Sequence, residues 1–146
     1  MTPGWMFSLA NFTAMAGWLA LAAGVVLKNT LLRDLIAGRI FPLILSAAYT
    51  GLIALFWANS EGGFSSLDGV AHLFSNPWLL LAGWVHYLAF DLVIGSMIAR
   101  KTAEAGLPHF ILLPILPLTF LFGPIGWLAF ELVRIVAPRL KSKATA

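Results

Sequence analysis

The chain of 146 residues contains no cysteine. That absence excludes a disulfide framework, a thiolate metal site and a cysteine nucleophile, and it leaves the redox compartment unreadable. Charge is nearly as scarce. Nine Lys/Arg and six Asp/Glu make up 10% of the residues, against about 25% in a soluble domain. Too few charges remain to coat a water-facing surface, so a soluble enzyme, a disordered chain and a nucleic-acid-binding module are all excluded. Several motifs are missing as well. There is no Gly-rich phosphate loop, no His-Glu-x-x-His, no Gly-x-Ser-x-Gly and no ferritin-like Glu-x-x-His. Three histidines are too few for a histidine-rich membrane hydroxylase or desaturase. No cofactor is expected.

Apolar residues are what the chain has in abundance: 60% hydrophobic, with a mean hydropathy of +0.91. The net charge of +3 is not a nucleic-acid footprint, because four of the nine basic residues lie in the last 13 positions. This is the composition of a membrane protein.

A hydrocarbon core of about 30 Å takes about 20 apolar residues as a helix. Four stretches qualify: residues 8–27, 40–59, 78–99 and 110–136. The first lacks a basic leader and exceeds a signal-peptide core in length, so it is expected to span. The last is interrupted by Pro114, Pro117 and Gly123-Pro124. The expected fold is therefore all-α, a single integral membrane bundle of four transmembrane helices with the last one kinked by Pro and Gly. Within the loop at 60–77, Ser66 followed by Leu67, Val70, Ala71 and Phe74 suits a short interfacial helix.

The two short loops carry Lys28, Arg33, Arg39, Arg100 and Lys101, whereas the long loop carries only Glu61 and Asp68. The positive-inside rule puts the short loops in the cytoplasm and the N-terminus outside. Four full crossings would then leave Arg134, Arg139, Lys141 and Lys143 outside, against the same rule. With no transit peptide in view, a bacterial inner membrane is the expected location, or a plastid membrane if the source is eukaryotic.

Ionisable side chains at membrane depth cost roughly 2.5–3.5 kcal/mol to insert and usually face a bundle interior or a cavity. Asp91 is the clearest case. Trp84, Tyr87 and Asp91 follow at i, i+3 and i+7, so they share a helix face, and Tyr87 is within reach of Asp91. His86 is five residues away, about 140° around the helix, so it does not stack on Asp91. His109 follows Pro108 at the entry to the last stretch, and His72 falls in the acidic loop. Together His86, Asp91 and His109 match in kind a two-His-one-carboxylate iron set, but nothing in their spacing requires a metal. Glu131 and Arg134 are spaced as a local ion pair. Ser46, Tyr49 and Thr50, with Asn11 and Thr119, are either helix-to-helix glue or the polar spots of a cavity around Asp91. The candidate catalytic residues are thus Asp91, His86 and His109. Trp84, Tyr87, Tyr49, Thr119 and Arg100 are the candidate ligand contacts.

Four segments carry a resemblance. Phe64-Ser-Ser-Leu-Asp-Gly-Val-Ala-His-Leu-Phe74 is followed by Gly83-Trp-Val-His-Tyr-Leu-Ala-Phe-Asp-Leu92, then Gly106-Leu-Pro-His109, then Leu118-Thr-Phe-Leu-Phe-Gly-Pro-Ile-Gly126. In this order they resemble the ABA4-like family, membrane proteins that include the plant neoxanthin synthase. The chain departs from the family pattern at Ser96 and Met97, where a basic residue and an aromatic are usual, and at Ile115 in place of Cys. Arg100, one turn later, is the available basic substitute. The resemblance implies carotenoid chemistry of the kind that turns violaxanthin into neoxanthin. An epoxide opens, a carbon-bound proton leaves, and there is no net redox change. Residue chemistry then offers Asp91 as an acid and His86 or His109 as a base. Two functions fit: an isomerase-type carotenoid-modifying enzyme, or a non-enzymatic carotenoid- or lipid-binding membrane subunit. The expected partners are a carotenoid or other long apolar ligand, the bilayer itself, and a second copy of the chain in a homo-oligomer. A small transporter fits less well, since four spans with one deep carboxylate offer little polar path.

Overall fold

The structure, a computed structural model, describes residues 2–58 and 60–144, with side chains through residue 136. It is all helical, with no strand among the described residues. Among the described residues, four helices are long and apolar enough by length and composition to cross a membrane, so the chain is an all-α membrane bundle.

Helix α1 (Pro3–Val26) starts at a Thr2 cap, whose Oγ1 accepts from the Trp5 N–H at 3.3 Å, with Pro3 where its missing N–H costs nothing. Its buried stripe runs Ala10, Ala14, Gly17, Trp18, Leu21 and Gly24, largely small residues. Lipid supplies no hydrophobic drive between helices, so close backbone approach must supply the attraction. Gly24 lets α1 come so near the next helix that a Cβ there would meet the Arg33 backbone nitrogen at 2.6 Å. The helix ends with the Asn29 N–H on Gly24 O and the Lys28 N–H on Val25 O, a Schellman closure. Lys28 takes the left-handed position, φ 52°, that glycine usually fills.

Helix α2 (Leu31–Phe56) begins well before the expected span at residue 40. Its first ten residues, Leu31–Ile40, are wound as π helix, started by Asn29, whose Oδ1 accepts from the Leu32 N–H at 3.1 Å. The expected end of that span, Asn59, lies outside the described residues. A short helix α3 (Leu67–Leu73) is capped by Ser66, whose Oγ accepts from Gly69 N–H at 3.0 Å. Helix α4 (Pro77–Glu104) is the hub: it packs against α1, α2 and α5, and its buried residues cover more than half of its circumference.

Helix α5 (Leu112–Ala144) follows a turn of 3-10 helix at His109–Ile111, and its kink is severe. Phe122 (φ −144°, ψ 39°) and Gly123 (φ 3°, ψ −71°) leave helical geometry altogether. Pro124 contributes no N–H to the Phe120 carbonyl one turn back, so the helix has little to hold it straight there. The chain turns back on itself. A Cβ on Gly126 would lie 2.5 Å from the Thr119 nitrogen, although seven residues of straight helix would separate them by about 10 Å. Phe130 is fully buried in one cluster with Leu112, Ile115 and Ile98, and Lys101 Nζ sits 4.9 Å above the Trp127 ring. Residues 124–136 therefore return toward the end of the bundle from which residues 112–121 came.

This reversal brings Arg134 to the same end as Lys28, Arg39 and Arg100, which removes the conflict with the positive-inside rule. The side chains of Arg139, Lys141 and Lys143 lie outside those described. Because the chain lacks cysteine, single-cysteine labelling is direct. With a membrane-impermeant maleimide, Ala105→Cys and Val136→Cys should label from one side, and Thr2→Cys and Ser65→Cys from the other. Labelling of Val136→Cys together with Ser65→Cys would mean that α5 crosses fully.

Candidate functional site

Helix α4 carries Trp84, Tyr87 and Asp91 on one face, with the Trp84 and Tyr87 rings 5.2 Å apart, and His86 on the other. Asp91 falls at the middle of α4 and is 5% exposed. Its carboxylate lies against the Gly123 backbone at the reversal of α5, where a Cβ would fall on Oδ1. The first N–H groups of the returning segment have no partners within their own helix, and their dipoles favour an anion. Asp91 thus caps that segment from another helix. Its Oδ2 has no hydrogen-bond partner among the described residues.

Tyr87 stands beside Asp91, as the shared face requires. Its hydroxyl donates to the Leu121 carbonyl at 2.8 Å, with the Phe120 carbonyl at 3.3 Å, both oxygens freed by the break in α5. Tyr87 and Asp91 therefore clasp the two sides of the reversal. Asp91→Asn keeps an acceptor at this position and should leave the fold intact. Asp91→Leu should lower stability by about 1–2 kcal/mol, the usual worth of a cap, as read by thermal unfolding in detergent. A folded Asp91→Asn protein with turnover down a hundredfold or more would instead place Asp91 on the substrate.

His86 faces the other way. It lies in a cavity of about 450 Å³ between α2, α4 and the loop that carries α3, walled by Tyr49, Trp57, Phe64, Phe74 and Leu79. The imidazole stacks on Phe90 (centroids 4.6 Å) and meets the Tyr49 ring at 5.4 Å. It is exposed, and no hydrogen bond to it is formed among the described residues. The roof is tied down by Trp57 stacked on Phe64 (5.4 Å) and by His72 Nε2 at 2.9 Å from Glu61 Oε2. Gly62 permits this fold, with φ +101° and the Leu73 nitrogen 2.7 Å from where its Cβ would be.

His109 lies at the opposite end of the bundle, on the rim of a second cavity of about 560 Å³ between α1 and the first part of α5. The three candidate catalytic residues therefore occupy three separate places, and no group of three or more His, Asp or Glu able to hold a metal occurs among the described residues. Asp91 lines neither cavity. Of the candidate ligand contacts, only Tyr49 lines the aromatic cavity. Trp84 donates its indole N–H to Asn11 Oδ1 at 3.0 Å, tying α4 to α1. Thr119 is fully buried and donates to its own helix at Ile115 O, 2.8 Å. Arg100 is exposed, 3.7 Å from Glu104, far from Asp91 along the helix. Ser46 and Thr50 face outward, with Thr50 Oγ1 donating to Ser46 O at 2.8 Å, so they do not converge on Asp91. The walls Trp57, Phe64 and Phe74 were not among the candidates. Trp57 falls near the end of an apolar stretch, where an interfacial belt accounts for it, and Phe64 and Phe74 bound a recognisable segment without any spacing that marks a cavity.

One family description, ABA4-like (ABA DEFICIENT 4-like), matches residues 5–130. The chain belongs to the ABA4-like family. This ABA4-like stretch contains both cavities, Asp91 and the reversal of α5. No curated protein and no solved structure matches the chain.

Proposed function

We propose that this ABA4-like protein is a carotenoid-modifying membrane enzyme that runs isomerase-type acid–base chemistry on a xanthophyll or related polyene. Family membership supports the coarser part, a membrane protein related to carotenoids and abscisic acid. The observation that carries the finer part is His86. At this depth an imidazole without a partner is costly, because lipid offers no hydrogen bond in exchange for water. A ligand end group with an oxygen would satisfy it. The aromatic walls suit a ring and the start of a conjugated chain.

For an epoxide end group the step balances within this cavity. His86 takes a proton from the carbon beside the epoxide, the C–O bond breaks as the new double bond forms, and the Tyr49 hydroxyl protonates the leaving oxygen. The imidazolium then returns its proton to the Tyr49 oxygen, directly or through water, and the product is an isomer of the substrate. Asp91 and Tyr87 act on the other side of α4, holding the reversal in place.

The test is incubation of the purified protein in liposomes with an epoxy-xanthophyll, followed by chromatography and mass measurement. A product of unchanged mass and altered absorption is expected. Pigment that co-purifies and stays chemically unchanged, bound equally by wild type and His86→Gln, would establish the non-enzymatic binding reading in its place.

A further inference from the structure

The cavity between α1 and α5 differs in kind from the one at His86. Its walls are almost wholly apolar, with Trp18, Val25, Leu116 and Phe120 among them, and its polar side chains, Lys28 and His109, stand together at one end. At the other end Trp18 meets Phe120 edge-on, with ring centroids 5.5 Å apart. From Trp18 to the end of α1 at Val26 is about 12 Å, and Lys28 lies two residues beyond, for a total of about 15 Å. That is the depth of one leaflet, half of a hydrocarbon core of about 30 Å. A bilayer-spanning polyene is about twice as long as this groove, whereas a single acyl chain matches its length.

The mouth indicates the headgroup. The acids at this end of the bundle are each paired with an arginine, Glu131 with Arg134 at 2.6 Å among them. Asp34 is held by Arg33 at 2.7 and 2.8 Å, and Glu104 lies 3.7 Å from Arg100. Lys28 also holds a left-handed backbone position that glycine or asparagine would occupy at less cost. A strained lysine at the rim of an apolar groove places a cation at headgroup level.

We propose that the α1–α5 groove is a binding site for one acyl chain of an anionic lipid, whose headgroup is held by Lys28 and His109. The site is separate from the His86 cavity and does not depend on the reaction assigned there.

Native mass spectrometry of the detergent-solubilised full chain tests this, titrated in parallel with dioleoyl-phosphatidylglycerol and dioleoyl-phosphatidylcholine. Wild type should retain the anionic lipid at a several-fold lower concentration. Lys28→Asn removes the charge while suiting the backbone, and should lower phosphatidylglycerol retention roughly fivefold, the usual effect of one basic residue at a lipid surface. Lys28→Asn/His109→Gln should abolish the preference. Ala22→Trp, which fills the groove from its exposed wall, should reduce retention of both lipids. Arg39→Gln, at the same end but outside the groove, should change nothing. Equal retention of the two lipids by wild type would overturn the proposal. So would an Arg39→Gln loss matching that of Lys28→Asn, or unchanged binding in Ala22→Trp.

Discussion

Replacing His86 with glutamine is expected to lower turnover of an epoxy-xanthophyll by roughly 10²- to 10⁴-fold, the usual contribution of a positioned general base. Glutamine keeps a polar, hydrogen-bonding side chain of similar reach but cannot take up a proton. His86 is exposed to the cavity and anchors no other helix by a hydrogen bond, so the fold should tolerate the change. Binding should therefore survive while the chemical step fails: kcat falls and KM moves little. Tyr49→Phe keeps the ring that meets His86 at 5.4 Å and removes only the hydroxyl. It should cost less than His86→Gln if water can protonate the leaving oxygen. If His86→Gln turns over within threefold of wild type, the chemistry lies elsewhere and the cavity is only a binding site.

The largest effect on stability is expected at Gly126. A Cβ there would lie 2.5 Å from the Thr119 nitrogen and 2.6 Å from its Cα, and backbone cannot swing aside as a side chain can. Gly126→Val should cost about 3 kcal/mol or more, at the upper end of the range for overpacking, and should appear as a collapse in yield or in thermal unfolding in detergent. Thr119→Ala should not rescue it, because the obstacle is main chain as well as side chain. Gly51→Ala is the matched control, since nothing stands within 4 Å of a Cβ at that position. A Gly126→Val protein as stable as wild type would show that the two halves of α5 do not touch, and the reversal would fall with that result.

Much of the architecture is legible in the sequence. Long uncharged runs dictate membrane helices because the bilayer demands internal backbone hydrogen bonding. The Pro and Gly residues of the last stretch located its kink correctly, and Glu131 and Arg134 form the pair that their spacing suggested, at 2.6 Å. The excess of basic residues in the tail also held a signal. It disagreed with four clean crossings, and the returning half of α5 accounts for it.

The site was less legible. Helical periodicity separates His86 from Asp91 by about 140°, and that much was computable. It does not say which neighbour stands on each side. Only packing shows that α5 turns back against Asp91 while α2 and the capped loop enclose His86. Thr119 illustrates the same limit: it is a polar residue in a span, yet it is buried against its own hairpin, with its proton on Ile115 O.

The shortage of charge and the absence of cysteine determined, by themselves, that this is a membrane bundle without thiol chemistry. They also singled out Asp91 as the charge that topology does not explain. Tertiary structure shows what stands against Asp91, the backbone at the reversal of α5. An acid at the centre of α4 is equally fit to react with a substrate or to cap a broken helix. The N–H groups that make it a cap belong to a segment more than 30 residues further along the chain. Composition and helical period report only on a residue's own helix. The partners that give a buried charge its role come from another.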